Sequence, residues 1–192
     1  LTDTPPDDAL GVEKPTEGGQ RWPVDQLTPE DWAVQPSWLG NYSPQNSCEK
    51  TTDGLRFSVN EAGCGAKWSG ELEQAIAGAR WVAMRYRATG MTGGSDYALY
   101  IASEPGGQAR EEQYVIPLGD INSDGAWHVQ TSRVEILSIK SMAVQVQAAV
   151  EGAGLEIAQL EFLENKAPVA ISAEFPCPPL QGAVPAGFTP LQ

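Results

Sequence analysis

One short stretch, residues 119–128 (GDINSDGAWH), carries side chains suited to holding a metal ion. Asp120, Asn122 and Asp124, with the glycine that follows them, match the first half of a calcium-binding loop. The twelfth loop position normally supplies a bidentate carboxylate, but it is Thr131 here. The stretch is therefore interpreted first as a turn between two strands. It becomes a structural calcium site only if a distant carboxylate completes it.

The chain's only histidine, His128, does not define a catalytic site. A catalytic base needs a nucleophile and an orienting group. Cys64 is a conceivable nucleophile, but the surrounding AGCGAK matches no known catalytic turn. The GGSDY around Ser95 is not the G-x-S-x-G of hydrolases either. No pair of carboxylates is marked out for glycoside hydrolysis, so we predict that the protein is not an enzyme.

The three cysteines are Cys48, Cys64 and Cys177, and three different single disulfides are possible among them. The short separation of the first two favours a disulfide between Cys48 and Cys64. A chain that starts without methionine and has few lysines favours an oxidising, extracytoplasmic compartment, secreted or periplasmic. Three reduced cysteines in a cytosolic protein are the alternative.

Charge and hydropathy exclude several kinds of partner. Twelve basic and 25 acidic residues give a formal charge of −13, which argues against nucleic acid and against anionic lipid. No apolar run approaches the roughly 20 residues of a membrane helix, so no membrane span is predicted. A glycan or a protein remains as the expected partner.

The central part of the chain alternates apolar and polar residues with a period of two, which is typical of half-buried strands. The predicted strands are 55–59, 66–70, 80–88, 97–102, 113–118, 127–131, 141–150 and 154–164. The last segment changes register midway, which predicts a bulge. Residues 70–79 have helical propensity and predict one or two turns. About eight short strands predict an all-β antiparallel sandwich of the jelly-roll type.

Two proline-rich segments flank this sandwich, which is assigned to residues 31–166. Residues 1–30 and 167–192 are predicted to be extended tails without a core of their own. Within the first, Thr28 is an N-cap signal for one helical turn. Such tails either wrap the sandwich or dock on other proteins, so a structural or accessory subunit of a larger assembly is an alternative function.

Four segments together resemble galactose-binding-like jelly rolls, the fold of many carbohydrate-binding modules of secreted polysaccharide-degrading enzymes. They are ARWVAMRYRATG, NSDGAWHVQTSRVEI, SMAVQVQAAV and GLEIAQLEFLE. The resemblance covers residues 50–165. It implies a two-sheet sandwich, sometimes a structural calcium ion, and a ligand surface on end loops or on a concave sheet face. It identifies no ligand-binding residue.

Six tryptophans and five tyrosines are many for this length, and exposed aromatic rings stack on sugars. Core packing is the alternative for each of them. Trp81 is the best candidate for exposure, because it shares a strand face with Arg85 and Arg87. That face is either a ligand surface or a solvated one whose arginines pair with Glu111 or Glu112. We predict a non-catalytic extracytoplasmic binding module with a carbohydrate ligand.

Overall fold

Two antiparallel β-sheets face each other across one hydrophobic core. The computed structural model describes residues 19–24, 28–35, 40–104 and 113–165. One sheet has six strands, in the order β3-β4-β11-β6-β9 with β1 beside β11. The other has five, in the order β2-β5-β10-β7-β8. The predicted all-β jelly-roll sandwich is confirmed.

The strands have the following bounds: β1 Arg21–Pro23, β2 Ala33–Val34, β3 Asn46–Lys50, β4 Leu55–Val59, β5 Gly65–Ala77, β6 Trp81–Thr89, β7 Tyr97–Ala102, β8 Gln113–Pro117, β9 Asp124–Arg133, β10 Ser138–Gln147 and β11 Ala153–Leu163. Helical turns of the 3-10 type cover Pro29–Asp31 and Leu118–Asp120. In the described residues, no helix is long and apolar enough to cross a membrane.

Strand β6 shows how the alternating pattern builds the core. Val82, Met84 and Tyr86 are buried between the sheets, while the residues between them are partly exposed on the outer face. Strand β10 places Met142, Val144 and Val146 in the core at every second position, and the residues between them are buried on the other side of the sheet. Local period-two alternation therefore predicted the buried faces correctly.

An aromatic cluster joins the two sheets. Phe57 of the six-stranded sheet packs edge-on against Trp32, with ring centroids 5.1 Å apart. It also packs against Trp68 of the five-stranded sheet at 5.2 Å. Both tryptophans are buried in the core, so for them core packing, the alternative to sugar stacking, is correct.

The predicted helical turns at residues 70–79 are wrong. This segment is the second half of β5, which pairs with β10 from Gly65 to Ala77. Ile76 is buried opposite Ile139 across this ladder. Sheet hydrogen bonds and burial outweigh a weak helical propensity.

The predicted bulge in the last strand is confirmed. In β11, the register with β6 shifts between Ile157 and Gln159. Leu155 and Ile157 before the shift and Leu160 and Phe162 after it are all buried. One extra residue therefore keeps both halves of the strand facing the core.

The sandwich begins earlier in the chain than predicted. Arg21–Pro23 pairs with the end of β11, Trp22 packs against the core, and Val24 is buried. These residues belong to the fold rather than to a separate tail. Residues 1–18 and 25–27 of the first predicted tail and the whole of the second, residues 167–192, lie outside the described residues. The turn capped by Thr28 is present, with its hydroxyl donating to Asp31 at 2.6 Å.

Candidate functional site

The outer face of the six-stranded sheet carries Trp81, Arg85 and Arg87. The guanidinium carbons of Arg85 and Arg87 lie 4.6 and 4.8 Å from the centre of the Trp127 ring on β9. The guanidinium carbon of Arg133 lies 5.4 Å from the centre of the Trp81 ring. Arginine therefore lies over part of Trp81, the predicted candidate for sugar stacking, and over part of Trp127 on the neighbouring strand.

Arg87 makes its ion pair with a neighbour on β11 rather than with Glu111 or Glu112. Its Nε donates to Glu156 at 2.8 Å, and the Thr51 hydroxyl donates to the same carboxylate at 2.6 Å. Burial alone would raise the pKa of Glu156, but the bonds from Arg87 and Thr51 outweigh it and lower the pKa. The two predicted partners lie outside the described residues, and the strand after them is in the opposite sheet.

The stretch 119–128 connects two strands. Asp120 ends a 3-10 turn, Asn122 donates its backbone N–H to the Tyr86 hydroxyl, and Asp124 begins β9. Asp124 Oδ1 accepts the Ala126 N–H at 2.8 Å and lies 2.9 Å from His128 Nε2. Within the described part of the chain, no three His, Cys, Asp or Glu side chains are grouped to hold a metal. The prediction that this turn binds no calcium tightly stays a prediction, and a calcium site completed by a distant carboxylate stays its alternative.

The predicted disulfide between Cys48 and Cys64 is not formed, and both cysteines are free thiols. Cys48 lies in the middle of β3 opposite Phe57 and packs against the core. Cys64 follows β4 in the turn that enters the opposite sheet. Their short separation in sequence does not bring them together, because a strand and a change of sheet intervene. Cys177 lies outside the described residues.

The two thiols are expected to differ in reactivity. Burial of Cys48 against the core raises its pKa to about 12, whereas Cys64 lies in a turn, where desolvation and the charge of Glu61 raise its pKa. Only a thiolate reacts quickly with alkylating reagents. Peptide mapping after brief maleimide treatment of the native protein should find Cys64 modified well before Cys48. A disulfide between the two cysteines, or equal labelling of both, would contradict this prediction.

A connected group of polar side chains lies on the outer side of the five-stranded sheet. Asp96 accepts hydrogen bonds from the Tyr100 hydroxyl at 2.6 Å and from Gln145 at 2.8 Å. Gln147 donates to it at 3.2 Å, and Lys67 Nζ lies 3.4 Å from the centre of the Tyr100 ring. We call these five residues the Asp96 network.

Its carboxylate is kept in the charged form. Burial would raise the pKa of Asp96, but bonds from Tyr100, Gln145 and the Tyr97 N–H, with the positive charge of Lys67, lower it. Lys67, Tyr100 and Gln145 are buried, whereas Asp96 and Gln147 are partly exposed. The buried members therefore orient the two that can reach a ligand.

Asp96 and Gln147 open into a cavity of about 460 Å³ at the end of this sheet. Its lining consists of Gly40, Asn41, Gly63, Cys64, Gly65, Thr92, Asp96, Gln147, Ala148 and Ala149. Gly63 has a φ of +77°, a left-handed conformation that favours glycine at this turn. The volume falls within the usual range for small-ligand sites.

The side chains that line the cavity include both donors and acceptors of hydrogen bonds. Asp96 accepts, Asn41 and Gln147 both donate and accept, and Thr92 carries a hydroxyl. Such a set suits a ligand with several adjacent hydroxyl groups, each of which donates and accepts. This site was not predicted from the sequence. Its one signal was the polar position of Gln147 opposite the apolar face of β10.

Acid is expected to weaken the fold through two carboxylates, Asp96 and Glu156. Both have lowered pKa values in the folded protein. Their stabilising effect is therefore complete above the unfolded-state values of about 4 and is lost as pH falls through the folded ones. Denaturant unfolding between pH 3 and pH 7 should show this decline. The variants Asp96→Asn and Glu156→Gln should each flatten it, and a wild-type slope in both would contradict the assignment.

The fold is similar to that of solved carbohydrate-binding modules. A xylan-binding module of family 15 gives a TM-score of 0.51 at 16% identity, covering 78% of this chain and 100% of that one. A family 29 module variant complexed with cellulohexaose gives 0.51 at 11% identity, covering 78% and 94%. Another, complexed with mannohexaose, gives 0.52 at 9% identity, covering 77% and 94%. Neither protein-family models nor curated proteins match the sequence.

At these identities the similarity establishes the fold alone. The chain has the jelly-roll sandwich seen in these carbohydrate-binding modules, which confirms the resemblance in fold that its sequence indicated.

Proposed function

We propose that this protein is a non-catalytic carbohydrate-binding module that acts outside the cytoplasm. It binds a neutral glycan in the cavity beside Asp96. The observation that carries the proposal is the open, polar cavity backed by the Asp96 network, on a sandwich shared with carbohydrate-binding modules. The extracytoplasmic location belongs to the same proposal, since polymeric glycans are encountered there.

The geometry favours a neutral sugar at this position. Asp96 is already ionised and hydrogen-bonded, so it repels an anionic group but accepts further hydrogen bonds from hydroxyls. Gln147 presents an amide beside it, and Asn41 faces the same space from the opposite loop. A pair of vicinal hydroxyls can therefore bond to a carboxylate and an amide at once.

The outer face of the six-stranded sheet is less suited to a neutral sugar. Stacking requires an uncovered ring face, and arginines lie over both Trp81 and Trp127. Substitutions in the cavity and on this outer face can therefore be compared to test where a glycan binds.

Affinity electrophoresis in gels containing xylan, glucomannan or a soluble cellulose derivative tests this proposal. At least one of these neutral polysaccharides should retard the wild-type protein. Gln147→Ala and Asn41→Ala should restore free migration, whereas Arg85→Gln should migrate as the wild type does. Retardation that survives both cavity changes, or no retardation by any neutral polysaccharide, would contradict the proposal.

A further inference from the structure

Strand β9 forms one edge of the six-stranded sheet. It pairs with β6 on one side, and in the described part of the chain no strand lies on its other side. It is 10 residues long, and none of its residues is buried, including those whose side chains point inward. An edge strand presents a row of backbone N–H and C=O groups that can pair with another strand.

We infer that β9 pairs edge to edge with β9 of a second copy of this chain. The two strands run antiparallel, and the six-stranded sheet continues from one copy into the other. The inference concerns self-association alone, and it does not require that the cavity beside Asp96 bind a glycan.

The other edge strands of the sandwich have features that protect an edge from pairing. Short length, charged residues and proline are such features. Strand β3 has 5 residues and ends in the charged Glu49 and Lys50, and β2 has 2 residues. Strand β8 also has 5, and its last residue is Pro117, which has no N–H to donate. Strand β9 has none of these features over residues 125–132.

The absence of charge in the middle of β9 favours a second copy as its partner. Residues 125–132, GAWHVQTS, contain no Asp, Glu, Lys or Arg. The whole chain has a formal charge of −13, so two copies repel each other where their acidic surfaces meet. Along this stretch two copies can approach without placing carboxylates of the two strands against each other.

The side chains of β9 also suit a second β9. On its inward side, His128, Gln130 and Ser132 lie opposite buried residues of β6, so the hydrophobic core ends at β6. A strand added beyond β9 therefore meets polar side chains and needs no apolar face of its own. A copy of β9 supplies the same polar groups, and cross-strand pairs of hydroxyl side chains are favourable.

The backbone of β9 is regular where the pairing is inferred. From residue 127 to residue 133 it is in continuous register with β6, and the one shift in this ladder lies near the start of β9, opposite Arg87 and Thr89. A bulge in the middle would twist the edge away from a partner. Two-fold symmetry makes the pairing antiparallel and occupies this edge in both copies, so it ends at a dimer.

Sedimentation velocity of the full chain tests the inference. The sedimentation coefficient should rise towards that of two chains between about 1 and about 500 µM, because the contact of one strand pair is small and such interfaces are weak. Val129→Lys should weaken association by about tenfold or more, since it places like charges within the paired strands. Val34→Lys is the matched control. It changes a valine of similar exposure, 38% against 40%, on β2 of the other sheet, and should associate as the wild type does.

Hydrogen exchange of the wild-type protein tests the same contact without a variant. Backbone amides of residues 125–132 should exchange more slowly at the high protein concentration than at the low one, and those of β3, the other edge of this sheet, should change less. A protein that stays monomeric at the highest concentration would overturn the inference. So would association without added protection in β9, or unchanged association of a folded Val129→Lys protein.

Discussion

Replacing Asp96 with alanine is expected to abolish binding of the neutral glycan. The carboxylate is the acceptor at the centre of the network, and hydrogen bonds to a charged group contribute about 1.5–3 kcal/mol each. Losing one such bond to the ligand and the alignment of Gln147 should lower affinity about 100-fold or more. Titration calorimetry with the polysaccharide that retards the wild type measures this loss.

The control for this change is Asp120→Ala, which removes an exposed aspartate from the turn before β9. It should leave glycan affinity unchanged. Thermal unfolding should first establish that the Asp96→Ala protein is folded. If it is not, the exposed cavity residue Asn41 provides the same test without a change in the network. Wild-type affinity in a folded Asp96→Ala protein would contradict the assigned site.

Replacing Phe57 with alanine is expected to produce the largest loss of stability. Its fully buried ring contacts Trp32 and Trp68, and so bridges the two sheets. Truncating a buried phenylalanine to alanine typically costs 3–5 kcal/mol, because apolar burial is lost and a cavity remains. Urea denaturation should give the variant a free energy of unfolding that is lower than the wild-type value by this amount. Leu137→Ala, at a side chain that is 88% exposed, should lie within about 0.5 kcal/mol of the wild type.

A shift of less than about 1 kcal/mol in Phe57→Ala would mean that the aromatic cluster does not hold the sheets together. Such a result would put the core packing in doubt, and with it the placement of both outer faces.

Most of the strands could be predicted from the sequence, because alternation is a local property of consecutive residues. Val82, Met84 and Tyr86 identify the buried face of β6 without any knowledge of its neighbours. The bulge in β11 could be predicted for the same reason, because the apolar residues change from odd-numbered to even-numbered positions within one segment. Residues 70–79 were misassigned because their helical propensity is also local, whereas their pairing with β10 is not.

The Asp96 network could not be predicted, because its residues come together only through the order of the strands in the sheet. Lys67 is on β5, Gln145 on β10 and Tyr100 on β7, and these strands are neighbours only in the folded sheet. The alternation of residues 141–150 puts Gln145 opposite the apolar residues of β10, but it does not indicate which residues of other strands lie beside it. The same limitation explains the predicted pairing of Arg87, whose true partner Glu156 lies 69 residues away.

The tryptophans show how exposure depends on position within a sheet. Trp127 and Val129 share one face of β9, which is an edge strand, and this face is the outer one. Trp81 is also on the outer face, whereas Trp32 and Trp68 are buried. Counting aromatic residues therefore does not separate ligand contacts from core packing.

The central claim is that a neutral glycan binds beside Asp96, and a crystal structure of the protein with a bound oligosaccharide tests it most directly. We predict a sugar ring in the cavity, with hydroxyl oxygens within hydrogen-bonding distance of Asp96 and Gln147. A neutral sugar seated instead on the outer face of the six-stranded sheet, against Trp81 or Trp127, would contradict the claim.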